Sequence, residues 1–124
     1  MKIYKCNACG NIVTMLEDSG VVPSCCGEEM ELLAAGTSDG AVEKHVPVIE
    51  IKGSHVKVRV GEYAHPMLSE HYIMWILLVT DKGFHITYLS PTDEPAACFE
   101  LCTGETPTEA YAYCNLHGLW SKTV

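Results

Sequence analysis

Four cysteines crowd into the first 36 residues of the chain, and they decide what that stretch can become. Cys6-Asn7-Ala8-Cys9-Gly10 is a Cys-x-x-Cys knuckle, and Cys25-Cys26-Gly27 offers a second pair. The segment has little apolar periodicity and three glycines before Gly36, so it buries too little surface to fold unaided. Bound metal supplies the missing free energy. The glycine after the knuckle permits the sharp turn that aims two sulfurs at one ion. Four thiolates in a tetrahedron suit zinc or a single iron, and the spacing alone does not choose between them. Disulfides are the competing reading. Against them stand the odd total of seven cysteines and an N-terminus that runs from Met1 to Cys6 without the apolar stretch and cleavage site of a secretory signal. The expected location is therefore the cytoplasm, where thiols stay reduced.

Ala35-Gly36-Thr37-Ser38-Asp39-Gly40 is small and turn-forming, which suits a linker and divides the chain into residues 1–36 and 37–124. Beyond it the pattern is one of short strands. Val56, Val58 and Val60 alternate with His55, Lys57 and Arg59, and Lys52-Gly53-Ser54 turns this strand back to Val48-Ile49-Glu50-Ile51. Tyr72 to Thr80 is apolar on both faces, as an interior strand is, and turns at Asp81-Lys82-Gly83 into 84–89. Further strands are expected over 97–101, 110–113 and 119–124, with Pro91, Pro95, Gly104 and Pro107 as punctuation. The expected fold is mainly β, a small metal module followed by a β-sandwich. The longest apolar run, Tyr72 to Val79, is too short to cross a bilayer, so no membrane span is expected. A net charge of -8 argues against nucleic acid and anionic membranes as partners, and any anionic substrate needs a local positive patch.

A second set of ligand types lies in the strand region. Cys114-Asn115-Leu116-His117-Gly118 places a thiolate and an imidazole three residues apart in a loop after a strand. His65 precedes Pro66 and is biased to extended backbone, His71 stands at the start of the most apolar strand, and His45 is read as opening another. His55 and His85 fit the polar rhythm of hairpins. Cys98 and Cys102 are read as structural, small buried hydrophobes. Met67, Met74, Trp75 and Trp120 are read as core or site wall. Four imidazoles and a thiolate on one ion exceed the tetrahedral closure of structural zinc and leave an exchangeable position on iron, which makes a redox role natural. The thiolate is the strong electron donor of the set.

These motifs carry a resemblance. Residues 1 to about 36 resemble the desulforedoxin module, a rubredoxin-like fold whose four cysteines hold one iron. Residues 37–124 resemble the superoxide reductase domain in Glu43-Lys44-His45-Val46-Pro47, in His65-Pro66-Met67 with Glu70-His71-Tyr72-Ile73, and in Cys114-Asn115-Leu116-His117-Gly118-Leu119-Trp120. Together they resemble the two-iron superoxide reductases of the desulfoferrodoxin family. The resemblance implies an iron on Cys6, Cys9, Cys25 and Cys26. It implies an immunoglobulin-like sandwich with a second iron in a square pyramid, His45, His65, His71 and His117 equatorial and Cys114 axial. The activity it implies is one-electron reduction of superoxide to hydrogen peroxide in oxidative-stress defence. Glu43 would occupy the vacant position of ferric iron and Lys44 would draw superoxide in, although on sequence alone the two are a solvated charge pair. A homodimer and a rubredoxin-like electron donor are implied as well. Two other readings differ in class. A blue-copper-like electron carrier wants an axial methionine near the cysteine loop, and no methionine follows Met74. A non-catalytic metal-binding module leaves His45, His65, His71 and the Cys114 to His117 loop unexplained.

Overall fold

The computed structural model describes residues 1–38 and 40–124, so Asp39 of the expected linker lies outside the described residues. The chain divides into two compact units, Met1–Ala34 and Ala35–Val124.

In the first unit, β1 (Ile3–Lys5) pairs antiparallel with β2 (Ile12–Thr14). The strands β3 (Ser24–Cys25) and β4 (Glu28–Glu29) form a minimal hairpin, and β5 (Glu31–Leu32) completes a three-stranded sheet on the other edge of β1. The β3–β4 turn needs left-handed backbone at both central residues, and Cys26 (φ 54°) and Gly27 (φ 80°) provide it. One buried cluster is Tyr4, Cys6 and Met30, with Val13, Met15 and Cys25 packed against it, and Ile3 is buried besides. So small a core is what the sequence predicts for a metal-dependent module.

The second unit opens with a single helical turn, α1 (Val42–His45), followed by β6 (Pro47–Lys52) and β7 (His55–Val60). Next come β8 (Ile73–Thr80), β9 (Gly83–Tyr88), β10 (Ala96–Glu100), β11 (Pro107–Cys114) and β12 (Gly118–Thr123). They form two antiparallel sheets, ordered β10-β7-β6 and β12-β11-β8-β9. This is the β-sandwich that the strand pattern predicts, of the immunoglobulin-like kind that the resemblance implies. The β7 alternation has its physical outcome, since Val56, Val58 and Val60 are fully buried while His55, Lys57 and Arg59 reach solvent. Ile73, Ile76, Leu78, Ala110, Ala112 and Cys114 meet these valines, together with Ala97, Phe99 and Leu101, in one core. The thiol of Cys114 thus belongs to the sandwich core as much as to any site.

Several expectations are corrected. His45 does not open a strand but ends α1, and the strand begins two residues later at Pro47. Pro107 is the first residue of β11 rather than a break before it, which fits because a first residue needs no ladder N–H. His71 precedes β8, held by an isolated bridge to Leu68. Cys98 and Cys102 are exposed rather than buried, because Cys98 points away from the core in a strand whose inward residues are Ala97 and Phe99.

Candidate metal centres

In the first unit the sulfurs of Cys6, Cys9, Cys25 and Cys26 converge within 4.8 Å of one another. Cys9 Sγ lies 3.6 Å from Cys25 Sγ, which lies 3.9 Å from Cys26 Sγ. Sulfurs bound at about 2.3 Å at the corners of a tetrahedron stand about 3.8 Å apart, so these spacings fit a single ion. The backbone prepares the site. The Cys9 N–H donates to Cys6 Sγ at 3.4 Å, and with other local donors it brings the Cys6 thiol down to about 6. Hydrogen bonding among the crowded sulfurs, to Cys9 first, pushes Cys26 up to about 12. Four sulfurs this close cannot all ionise without a cation among them.

In the second unit His45, His65, His71, Cys114 and His117 bring five ligand atoms within 4.8 Å of one another. The ring centroids describe a near-square: 4.6 Å from His45 to His65, 4.7 Å from His65 to His71, 5.0 Å from His71 to His117 and 4.8 Å from His117 to His45. The His45–His71 diagonal is 6.4 Å, with the two rings near parallel at 28°. His45 Nε2 stands 3.1 Å from both His65 Nε2 and His117 Nδ1. Nitrogens bound at right angles to one ion at about 2.1 Å are about 3 Å apart. His71 Nε2 is buried with no hydrogen-bond partner among the described residues, an expense that a bound cation removes.

Local structure chooses which nitrogen faces inward. His45 Nδ1–H donates to the Ala41 carbonyl and His65 Nδ1–H to the Pro66 carbonyl, both at 2.7 Å, so each ring presents a bare Nε2. His117 sits on the tight loop between β11 and β12 and presents Nδ1 instead, 3.8 Å from Cys114 Sγ. Burial holds the His65 imidazole down at about 4 and lowers His45 and His71 too, so the three rings stay neutral near pH 7. Lys44 adds to the lowering of His71, after burial and His117, and Glu43 works the other way on His45. Both side chains are exposed, on the helical turn that ends in buried His45.

Residues outside the ligand set complete the site, among them Trp120, read from the sequence as core or site wall. Asn115 accepts the Tyr72 N–H at 2.9 Å and donates to the Glu70 carbonyl at 3.0 Å, gripping the backbone on both sides of His71. Trp120 stacks on His45 at 4.8 Å, and its indole N–H donates to the His117 carbonyl at 3.0 Å. The Ser38 hydroxyl donates to the same carbonyl. A Cβ on Gly40 would meet His45, Trp120 and His117 side chains at 3.1–3.3 Å, so the stretch read as a mere linker contributes Gly40 and Ser38 to the wall of the site. His55 and His85 stand apart, paired with Glu100 and Glu105.

Comparison with known proteins agrees with this geometry. The family model described as Desulfoferrodoxin matches residues 37–123, and the one described as Desulfoferrodoxin, N-terminal domain, matches residues 1–33. The desulfoferrodoxin of Syntrophotalea carbinolica is 49% identical over 122 residues, covering 98% of this chain and 95% of that protein. That of Nitratidesulfovibrio vulgaris is 51% identical over 119 residues, covering 96% and 93%. The crystal structure of the superoxide reductase from Treponema pallidum superposes with a TM-score of 0.82 at 38% identity, covering 98% of each chain. The four-cysteine and four-histidine-one-cysteine constellations match the two iron centres of desulfoferrodoxin. With both halves matched in order along nearly its whole length, the chain belongs to the desulfoferrodoxin family.

Proposed function

We propose that this chain is a two-iron superoxide reductase, converting superoxide to hydrogen peroxide with one electron and two protons. The observation that carries the reading is the square of four imidazoles beside the fully buried Cys114 thiol. Iron held there would supply a one-electron donor with an open position for a small oxygen anion. Among the chain's own residues, His45, His65, His71 and His117 would hold that iron; burial keeps His45, His65 and His71 neutral, and carbonyl acceptors turn the rings of His45 and His65. Cys114 would add a sulfur ligand, shielded from water and from oxidation by the core around it. Lys44 is assigned to attract superoxide against the net charge of -8 and to order a proton-donating water. Glu43, a hard oxygen donor exposed on the same turn, would be a further ligand for oxidised iron.

The proposed division of labour places the first iron, on Cys6, Cys9, Cys25 and Cys26, in residues 1–36 and catalysis in residues 37–124. A rubredoxin-like electron donor and a homodimer, supported by the resemblance of the motifs, and a cytoplasmic location, supported by the odd number of cysteines and the metal-type spacing of four of them, complete the reading. Among the described residues no helix is long and apolar enough to cross a membrane.

The test joins metal analysis to pulse radiolysis. The expected result is about one iron for each constellation, and Lys44→Ala slowing the bimolecular step by up to roughly 10- to 10³-fold at low salt while flattening its salt dependence. Lys82→Ala, which removes an equal charge from the exposed β8–β9 turn, should matter far less. Iron at full occupancy without superoxide consumption would sink the proposal, and identical behaviour of the two lysine variants would remove Lys44 from it.

A further inference from the structure

The turn that carries Glu43 and Lys44 is only one helical turn long, and a single turn has almost no stability of its own. Something else must fix it. Its N-cap residue, Ala41, provides no side-chain cap. What it does have is a second turn pressed against its backbone, residues 61–64 between β7 and His65. Tyr63 N–H donates to the Glu43 carbonyl at 2.9 Å, and His65 N–H closes the turn onto the Val60 carbonyl at 2.9 Å.

Gly61 is where the two turns touch. It is buried, and a Cβ built on it would lie 2.8 Å from the Glu43 carbonyl oxygen, 2.8 Å from the Lys44 carbonyl carbon and 3.0 Å from the His45 nitrogen. All three are backbone atoms, so no side-chain rotation relieves the overlap. Gly61 is absent from the residues with positive φ, so what its missing side chain grants is room rather than conformational freedom. Arg59 fixes the same turn from the other side. Its Nη1–H donates to the Gly61 and Glu62 carbonyls at 2.9 and 3.1 Å, while its Nε–H holds Glu50 at 3.3 Å. A planar guanidinium suits such a multiple grip, and lysine does not reproduce it.

We infer that Gly61 and Arg59 are positioning residues for superoxide reduction, setting the height of the Glu43-Lys44 turn through the 61–64 turn beneath it. The inference rests on the role assigned above to Lys44. Neither residue touches a ligand nitrogen. They act by placing a carboxylate and an ammonium, and a misplacement of order 1 Å at such a site can cost about 10²-fold in rate.

The decisive experiment is a double-mutant cycle on the iron-loaded full chain, read by pulse radiolysis, beside hydrogen exchange of the peptide containing Tyr63. Gly61→Ala should slow the reaction with superoxide by about ten- to hundredfold with its iron retained. In a Lys44→Ala background the same change should cost less than about twofold, because the group it misplaces is already gone. Exchange at Tyr63 should accelerate as its bond to the Glu43 carbonyl is lost. If Gly61→Ala loses the His/Cys iron, Arg59→Met takes its place in the cycle under the same criteria, with Arg59→Lys expected to restore activity only in part. Losses that add fully with Lys44→Ala, or unchanged exchange at Tyr63, would overturn the inference. Should Lys44→Ala itself react at the wild-type rate, the assignment of Lys44 fails, and the exchange result still decides whether Gly61 and Arg59 hold the turn.

Discussion

Acidification of the metal-free protein puts a number on how the His65 nitrogen is prepared. Burial holds this imidazole at about 4 against an ordinary 6.5. The folded value is the lower one, so between about 6.5 and about 4 the unfolded chain binds a proton that the folded chain refuses. Stability must therefore fall as pH falls through that window and level off below it. From pH 7 to pH 5, His65 alone should cost the second unit about 2 kcal/mol. With a urea dependence of about 1–1.5 kcal/mol/M for a domain this size, the midpoint should fall by about 1.5 M. Because Nδ1–H is committed to the Pro66 carbonyl, the incoming proton must land on Nε2, the atom that faces the metal. Unfolding and loss of ligation thus share one titration. Trp75 and Trp120, the chain's two tryptophans, both lie in this unit, so urea melts followed by indole fluorescence report it selectively. His45 and His71 shift in the same direction, and the relevant quantity is the difference between wild type and His65→Gln. Equal pH dependence in the two proteins would refute the reasoning.

Cys6→Ser should abolish the four-cysteine centre while leaving superoxide reduction largely intact, since all five ligands of the second constellation lie beyond residue 36; loss of both visible spectra together would contradict it. Cys114→Ser should be far more damaging in stopped-flow assays than His55→Ala or His85→Ala, whose rings are tied to Glu100 and Glu105 instead. Asn115→Ala should release the backbone on both sides of His71 and weaken metal affinity by about 10- to 100-fold in chelator competition, the usual cost of losing an outer support.

Most of the architecture is legible in local patterns. The β7 alternation, the Lys52-Gly53-Ser54 turn and the apolar β8 each follow from two to eight neighbouring residues, and so does the Cys6-x-x-Cys9 knuckle. The ligands are legible because imidazoles and thiolates announce themselves by type. What escapes is whatever depends on contacts between distant segments. The strand assigned to His45 becomes a helical turn because its backbone must nest against Gly61, sixteen positions on. Asn115 looks like an ordinary turn residue until Tyr72 and Glu70 are folded against it. Ser38 and Gly40 read as linker because small residues signal flexibility in isolation, whereas here Gly40 is small so that His45, His117 and Trp120 can close over it. Cys98 and Cys102 are misjudged for the opposite reason: cysteine is so often buried that its type outweighs the strand alternation that exposes Cys98.

The central claim is that this site reduces superoxide rather than disproportionating it, and product stoichiometry separates the two. A reductase takes its electron from the iron and yields one hydrogen peroxide per superoxide with no oxygen released, whereas a dismutase yields one peroxide and one oxygen from every two. The measurement is anaerobic stopped-flow addition of preformed superoxide to the fully reduced, iron-loaded chain, with hydrogen peroxide and oxygen quantified against superoxide consumed. The account predicts a one-to-one yield of peroxide, no evolved oxygen and oxidation of the histidine-cysteine iron in step with each superoxide. Oxygen release at half the superoxide consumed, with that iron still reduced, would contradict it.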